Sequence, residues 1–292
     1  MILAAIHRRK ADSKAKALAT PRPADILAPK NPIILVHGLF GFDTLFGIIN
    51  YWNDIPDALV AVGAEVFVAR VPATSSVGTR AAALVTQIAK KYRGRSVHLI
   101  GYSMGGLDCR HLVTHMLDGA GFKVLSVTTI ATPHRGSPAA DVFVDTHITD
   151  VPGFRGLMNI LPSGDGDGEA FASLSTSNCR AFNTFTPDVS GVRYFSWGAS
   201  FIPGLIDTVI WGAPFRIING KEGANDGMVS VSSARWGQYL GTIQGVNHTE
   251  IIGLKFNPRR TDVSNFIEGQ APFDHTSFFV KHASMLAKEV EG

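Results

Sequence analysis

The sequence has little cysteine and little charge, and it lacks a long apolar run. Its two cysteines, Cys109 and Cys179, are too few for a disulfide framework, so a reduced compartment is the simpler interpretation, with a single bridge as the alternative. No apolar run reaches the roughly 18 residues that a transmembrane helix needs. With 45% hydrophobic and 17% charged residues among 292, the chain is long and apolar enough for one large buried core.

Basic residues are concentrated at the amino terminus. The formal charge is +3, but the first 30 residues hold seven Lys or Arg and two Asp, which gives them +5 and leaves −2 for the rest. A slightly acidic remainder predicts no nucleic-acid surface. We expect residues 1–31 to form a basic leader with a Pro-rich linker and residues 32–292 to form one domain.

The leader also bears on cellular location. Its apolar residues precede its basic cluster, which is the reverse of a secretory signal, so secretion is disfavoured. A basic, acid-poor, alanine-rich leader is typical of a mitochondrial presequence, and a solvated tail is the alternative. The expected location is therefore intracellular, either mitochondrial or cytoplasmic.

A serine enclosed by glycines ends the most informative apolar run. The run from Val97 is typical of a buried strand, and the residues after Ser103 favour a helix. A turn between them exposes the serine and leaves room only for glycine beside it, at Gly101, Gly105 and Gly106. Gly-x-Ser-x-Gly also arises by chance in a chain with 30 glycines, but this strand and helix are the context that the motif requires. Ser103 is therefore the candidate nucleophile.

Strand-like runs and helical periodicity alternate along the domain. This order predicts an α/β fold with a mostly parallel sheet covered by helices. The predicted strands are residues 32–42, 64–72, 97–101, 123–131, 192–198, 215–218 and 239–244. The predicted helices are residues 51–62, 79–92, 107–113 and 275–290.

The loop after the first strand carries a His-Gly pair, His37-Gly38. In acyl-transfer hydrolases this loop offers one backbone N–H to the developing oxyanion, and the residue after the nucleophile offers the second. Those residues are Leu39 and Met104. His37 could itself be a base, but a histidine in this place more often orients the loop.

Activation of a serine needs a neutral imidazole and a carboxylate that orients it. Asp226 lies in an Asn-Asp-Gly turn, which we expect to follow the strand candidate at 215–218, and His248 comes after one further strand. These residues satisfy the order serine, acid, histidine. His134 is the strongest rival base, because its loop should lie beside Ser103, but it precedes any suitably placed acid.

Periodicity fades between about residues 139 and 193. Gly, Ser and Asp gather there between short apolar clusters, and a loosely patterned insertion of this kind predicts a cap or lid. Its apolar groups would suit a lipid surface, and ordinary packing within a helical cap is the alternative.

Four blocks of the sequence resemble the bacterial true lipases and, more closely, the mitochondrial triacylglycerol lipases of yeast. The blocks are Pro32–Gly38, Ser103–Arg110, Thr128–Ser137 and Asn225–Ser230. The resemblance covers about residues 32–250 and implies an α/β-hydrolase fold with a cap or lid insertion. It also implies that Ser103, Asp226 and His248 are the catalytic residues of an enzyme that cleaves acylglycerol esters.

Two departures from the bacterial relatives concern calcium and a disulfide. Those lipases hold a structural calcium through an aspartate two residues past the catalytic histidine, where this chain has Glu250. Asp207 is the candidate partner for Glu250, so calcium is an open alternative to the expectation of no cofactor. Their disulfide has no matching pair of cysteines here.

The predicted function is that of a serine hydrolase acting as a triacylglycerol lipase. A carboxylesterase, a phospholipase or an acyltransferase would share every catalytic residue, and a non-catalytic binding protein on the same fold is a further alternative. The expected partner is an acylglycerol or another lipid ester, with a lipid droplet or membrane surface as a candidate contact.

Overall fold

A computed structural model gives the fold and describes residues 26–39, 44–45, 49–146, 169–204, 207–209, 211–255 and 273–292. The first 25 residues of the predicted leader and residues 147–168 of the predicted cap lie outside this description. The boundaries proposed for the leader and the cap therefore stay predictions.

Parallel strands form the main sheet, as the sequence pattern predicts. Within the described residues its six strands run in the order β4-β1-β5-β6-β7-β8, and every neighbouring pair is parallel. These strands are β1 (Ile33–Val36), β4 (Val66–Ala69), β5 (Ser96–Tyr102), β6 (Lys123–Ile130), β7 (Arg193–Ser200) and β8 (Gln238–Gln244). A separate antiparallel pair consists of β2 (Thr44–Leu45) and β3 (Ile49–Asn50).

Apolar residues on both faces of the sheet are buried. Along β1, Ile33 and Leu35 enter one core cluster while Ile34 and Val36 enter another on the opposite face. Successive side chains of a strand point to opposite faces, so a strand covered on both sides must be apolar throughout. This requirement explains the continuous apolar runs in the sequence.

Helices cover the two faces of this sheet. Their bounds are α1 (Ile55–Ala61), α2 (Val77–Tyr92), α3 (Gly105–His115), α4 (Pro138–Thr146), α5 (Ala170–Ser173), α6 (Thr176–Phe185), α7 (Gly212–Glu222), α8 (Val231–Ala234) and α9 (His275–Glu289). One core cluster joins the sheet to α1 and α9, and the other joins it to α2 and α3. Across the residues described, we find no helix with both the length and the apolar character needed to cross a bilayer.

Two sequence expectations are corrected by the structure. Residues 215–218, expected as a strand, lie inside α7. Three apolar residues around Arg216 fit either element, and here Phe215 packs edge-on against Phe201 while Ile218 is buried as part of a helical face. The helix expected over residues 51–62 begins only at Ile55, because Asn53 and Asp54 have left-handed backbone angles.

The two cysteines are both free and both buried. Cys109 lies in α3 and Cys179 in α6, so no bridge joins them. The single bridge that the sequence left open is therefore not formed.

Candidate active site

Ser103 occupies the tight turn between β5 and α3. Its φ of 55° is left-handed, which is strained for a residue with a side chain and is typical of an exposed nucleophile at a strand-to-helix turn. The turn is held on both sides: Ser103 N donates to Ile130 O at 2.9 Å, and Thr132 Oγ1 donates to Ser103 O at 2.7 Å. The loop after β6 therefore fixes the serine from the neighbouring strand, as the sequence order predicts.

The glycines around Ser103 are required by close backbone contact. A Cβ on Gly101 would lie 2.5 Å from the carbonyl oxygen of Gly105, and a Cβ on Gly105 would overlap the carbonyl oxygens of Val36 and His37. A side chain at either position would therefore push α3 away from the sheet. The helix can start immediately behind Ser103 only because these positions carry no Cβ.

His248 and Asp226 meet Ser103 at the carboxyl edge of the sheet. His248 Nε2 lies 2.9 Å from Ser103 Oγ, and His248 Nδ1 lies 2.7 Å from Asp226 Oδ2. All three residues are buried. A continuous hydrogen-bonded chain from hydroxyl to imidazole to carboxylate is thus present, although the three residues are far apart in the sequence.

The carboxylate of Asp226 is fixed by its own turn. Its Oδ1 accepts the backbone N–H groups of Met228 at 2.9 Å and Val229 at 2.8 Å, which leaves Oδ2 for His248. The expectation that this turn follows a strand is wrong, because α7 precedes it. The turn nevertheless lies at the sheet edge beside His248, whose backbone N–H donates to Asp226 O at 2.9 Å.

Tyr102 is a site residue that the sequence did not reveal. Its hydroxyl donates to the carbonyl oxygen of His248 at 2.6 Å, and the two rings lie 5.0 Å apart. Burial raises the pKa of Tyr102 well above its ordinary value, so the phenol stays a donor. The only signal in the sequence was its position directly before Ser103. That position does not reveal that the hydroxyl bonds to His248.

Two backbone N–H groups without a described acceptor lie in the segments that flank Ser103. Leu39 follows the His37-Gly38 pair, and Met104 directly precedes α3. Within the described part of the chain, neither N–H donates to a backbone or side-chain acceptor. A Cβ on Gly38 would lie only 2.7 Å from Ser103 Cβ, so this loop is packed directly against the nucleophile. The start of a helix behind Met104 adds a favourable dipole for negative charge.

The rival histidines have other partners. His37 Nδ1 donates to Gly38 O at 2.8 Å and its Nε2 accepts Val71 N–H at 3.2 Å, which orients the loop. Burial, with a further contribution from the nearby Arg80, lowers the pKa of His37 to about 4. His134 contacts Thr129 and Arg110, and burial lowers its pKa well below the ordinary value.

The candidate calcium ligands do not form a carboxylate cluster. Glu250 Oε2 accepts Asn247 N–H at 3.1 Å, and Asp207 Oδ2 accepts Gly204 N–H at 3.0 Å. Across the described ranges, no group of three or more His, Cys, Asp or Glu side chains could hold a metal ion. Calcium takes six or more oxygen ligands, and no step of the reaction is derived through this ion.

This arrangement can carry out acyl transfer. A hydroxyl beside a neutral imidazole is activated as a nucleophile, and two free N–H groups beside it can hold a developing oxyanion. A carboxylate fixed on the far side of the imidazole selects the tautomer whose Nε2 accepts the proton.

Comparisons with known proteins agree with this chemistry. No family model matches the chain. It is 32% identical to triacylglycerol lipase 2 of Saccharomyces cerevisiae over 91% of this chain and 94% of that protein. It is 33% identical to a triacylglycerol lipase of Vibrio cholerae over 76% of this chain and 80% of that protein. The mature lipase BlEst2 of Bacillus licheniformis has a similar structure, with a TM-score of 0.62 and 25% identity over 85% of this chain and 94% of that one. The chain therefore belongs to the triacylglycerol lipase family of α/β-hydrolases and is a lipase-like hydrolase of carboxylic esters.

Proposed function

We propose that this enzyme hydrolyses acylglycerols, triacylglycerols among them, with Ser103 as nucleophile and His248 as general base. The observation that carries the proposal is the chain of hydrogen bonds from Ser103 Oγ through His248 to Asp226, at 2.9 and 2.7 Å. The names of the yeast and Vibrio relatives supply the substrate class.

The first half of the reaction forms an acyl-enzyme. Ser103 Oγ attacks the ester carbonyl carbon while its proton passes to His248 Nε2, and the imidazolium then protonates the departing alkoxide of the glycerol backbone. The N–H groups of Leu39 and Met104 hold the oxyanion while the tetrahedral intermediate exists. Asp226 touches no substrate and stabilises the imidazolium from Nδ1.

The second half returns the enzyme to its starting state. Water gives a proton to His248 Nε2 and attacks the acyl carbon, and collapse of the intermediate releases the fatty acid and returns that proton to Ser103. Water and glycerol compete for the same acyl-enzyme, so product analysis with added glycerol distinguishes a hydrolase from an acyltransferase.

The first test is Ser103→Ala, with Ser173→Ala as a matched control outside the site. We expect Ser103→Ala to lower kcat on p-nitrophenyl butyrate by about 10⁴-fold or more, because the whole hydrogen-bonded unit acts through this oxygen. A fluorophosphonate probe should label wild type on Ser103, as shown by peptide mass spectrometry. Wild-type turnover by Ser103→Ala, or a probe that leaves Ser103 unlabelled, would refute the assignment and favour a binding protein.

The substrate class is tested with one purified sample and a panel of esters. Tributyrin, triolein, a phosphatidylcholine and p-nitrophenyl esters of graded chain length separate a lipase from a phospholipase and a carboxylesterase. A rate on tributyrin that rises as the substrate passes its solubility limit supports a lipase acting on lipid surfaces. A rate that stays level across that limit supports a carboxylesterase.

Contact with a lipid droplet or membrane surface, and a role in lipid degradation, belong to the same proposal. Ile202, on the loop after β7 at the carboxyl edge of the sheet, is 86% exposed. An exposed aliphatic side chain at the substrate edge suits a lipid surface. Sedimentation with phosphatidylcholine vesicles, in which the protein should appear in the lipid pellet, tests this contact.

Mitochondrial location is the corresponding proposal for the leader. The net charge of +5 in the first 30 residues supports this proposal, and cytoplasmic location is the alternative. A fusion of residues 1–31 to a fluorescent protein should accumulate in mitochondria, and a diffuse cytoplasmic signal would count against the proposal.

A further inference from the structure

An ion pair lies buried directly behind the loop that carries Leu39. Arg80 on α2 and Asp108 on α3 have fully buried side chains, with Asp108 Oδ2 2.8 Å from both Nε and Nη2 of Arg80. The other carboxylate oxygen, Oδ1, is buried and takes no hydrogen bond from the described residues. Burial of two charges with one oxygen left over is costly, so stability alone is a poor explanation for this pair.

The remaining donors of Arg80 all reach backbone carbonyls of loops at the site. Nη2 donates to His37 O at 2.7 Å and to Gly38 O at 3.2 Å. Nη1 donates to the carbonyl oxygens of Pro72 and Ala73, in the loop after β4, at 3.1 and 3.4 Å. One planar guanidinium thus fixes the last two residues before the Leu39 N–H.

The other end of the pair is attached to the second N–H donor. Asp108 lies in the first turn of α3, and its backbone N–H donates to Met104 O at 3.2 Å. The ion pair therefore joins the peptide segment that presents Leu39 N–H to the helix that presents Met104 N–H. Both segments meet at Ser103, where a Cβ on Gly38 would lie 2.7 Å from Ser103 Cβ.

We propose that Arg80 and Asp108 are positioning residues that fix the separation and direction of the two N–H groups around the oxyanion. The inference rests on the proposed function, because it assigns a role relative to that oxyanion. An oxyanion hole works only when its donors are held before the reaction, and a shift of about 1 Å in such a site costs about 10²-fold in rate. A guanidinium suits the task because its rigid fork of donors reaches several acceptors at once.

Two variants test the inference without leaving one member of the pair buried and uncompensated. Arg80→Met combined with Asp108→Leu replaces the pair by apolar side chains of similar size, an exchange that is often neutral or stabilising. Arg80→Lys keeps the charge but cannot reach the carboxylate and the carbonyl oxygens of both loops together. The control is Arg95→Met combined with Glu65→Leu, which removes an exposed pair whose side chains are 43% and 46% exposed.

The measurements are kcat and KM on p-nitrophenyl butyrate, the rate of Ser103 labelling by a fluorophosphonate, and the melting temperature. Active-site titration with the same probe normalises kcat to folded molecules. We expect both pair variants to lose about 10- to 100-fold in kcat and in labelling rate, since the phosphonyl oxygen uses the same N–H groups. KM should stay within about twofold, because the pair touches no substrate. Asp108→Asn, which keeps an acceptor for Arg80 Nε, should lose less than the double variant.

Two outcomes would overturn the inference. The double variant could keep wild-type kcat and labelling rate, or the variants could melt earlier while kcat per titrated site stays unchanged, which is the behaviour of a purely structural pair. A failure of the proposed function is distinct, because there wild type itself would remain unlabelled on Ser103.

Discussion

Replacement of Asp226 by Asn tests the hydrogen-bonded chain at its buried end. The oxygen Oδ1 is held by the N–H groups of Met228 and Val229, so the amide oxygen of Asn would take that place and the NH2 group would face His248 Nδ1. An NH2 group there donates to Nδ1, which puts the imidazole proton on Nε2. His248 then cannot accept the proton of Ser103.

The expected loss of kcat follows from the hydrogen bonds that Asp226→Asn would have to break before His248 could accept a proton again. If the Asn amide rotated by 180°, its NH2 group would face the N–H donors of Met228 and Val229, at a cost of about 1–3 kcal/mol for each donor. If the amide did not rotate and His248 kept its proton on Nδ1, that N–H would face the NH2 group at a similar cost. The imidazolium also loses a charge-assisted hydrogen bond of about 1.5–3 kcal/mol. The barrier should rise by about 2.5–6 kcal/mol in total, which corresponds to a loss of about 10²- to 10⁴-fold in kcat.

The assay is steady-state hydrolysis of soluble p-nitrophenyl butyrate, with melting temperatures measured on the same samples. KM should change little, because Asp226 is fully buried and lies behind the imidazole. Asp141→Asn is the matched control, since that carboxylate accepts from Thr176 N at 2.7 Å, away from the three residues. If Asp226→Asn keeps kcat within about tenfold of wild type while folding normally, the reasoning on the tautomer is wrong.

Two further predictions concern packing and pH. Gly105→Ala should lose about 1–3 kcal/mol of unfolding free energy, because its Cβ would overlap the carbonyl oxygens of Val36 and His37. Gly220→Ala in α7 should gain about 0.5–1 kcal/mol, because its Cβ would meet no atom within 4 Å. Urea denaturation measures both changes. Burial, and then His98 nearby, lowers the pKa of His282 to about 3, so its neutral form is the folded one. Because an unfolded histidine takes up its proton near pH 6.5, acidification favours the unfolded chain, and His282 should lower the unfolding free energy by about 2 kcal/mol between pH 6.5 and 4.5. His282→Gln should flatten that part of the stability curve, and an unchanged slope would contradict the assignment.

The sequence identified the elements that local pattern controls. The apolar run of β1 is continuous because both faces of this strand are covered. The glycines around Ser103 fixed the turn, since close backbone contact excludes every larger residue. Chain order then selected Asp226 and His248 from among several carboxylates and histidines.

Pattern failed where two structures fit the same residues. Residues 215–218 form part of α7 although this short, mainly apolar run also suits a strand, and only contacts such as the one between Phe215 and Phe201 decide between the two elements. The turn of Asp226 was accordingly placed after the wrong kind of element. The contact of Asp226 with His248 does not depend on that element, because the turn itself fixes the carboxylate.

By itself, then, the sequence determined a parallel sheet, a strained serine turn and three residue types in a fixed order, since these depend on periodicity and on the absence of Cβ atoms. Only the tertiary structure decided which groups meet: the bond from Tyr102 to His248 O, and the guanidinium of Arg80 that joins Asp108 to the His37-Gly38 loop. These contacts join residues 28 to 146 positions apart. A contact of that span depends on how whole elements pack, which no local pattern encodes.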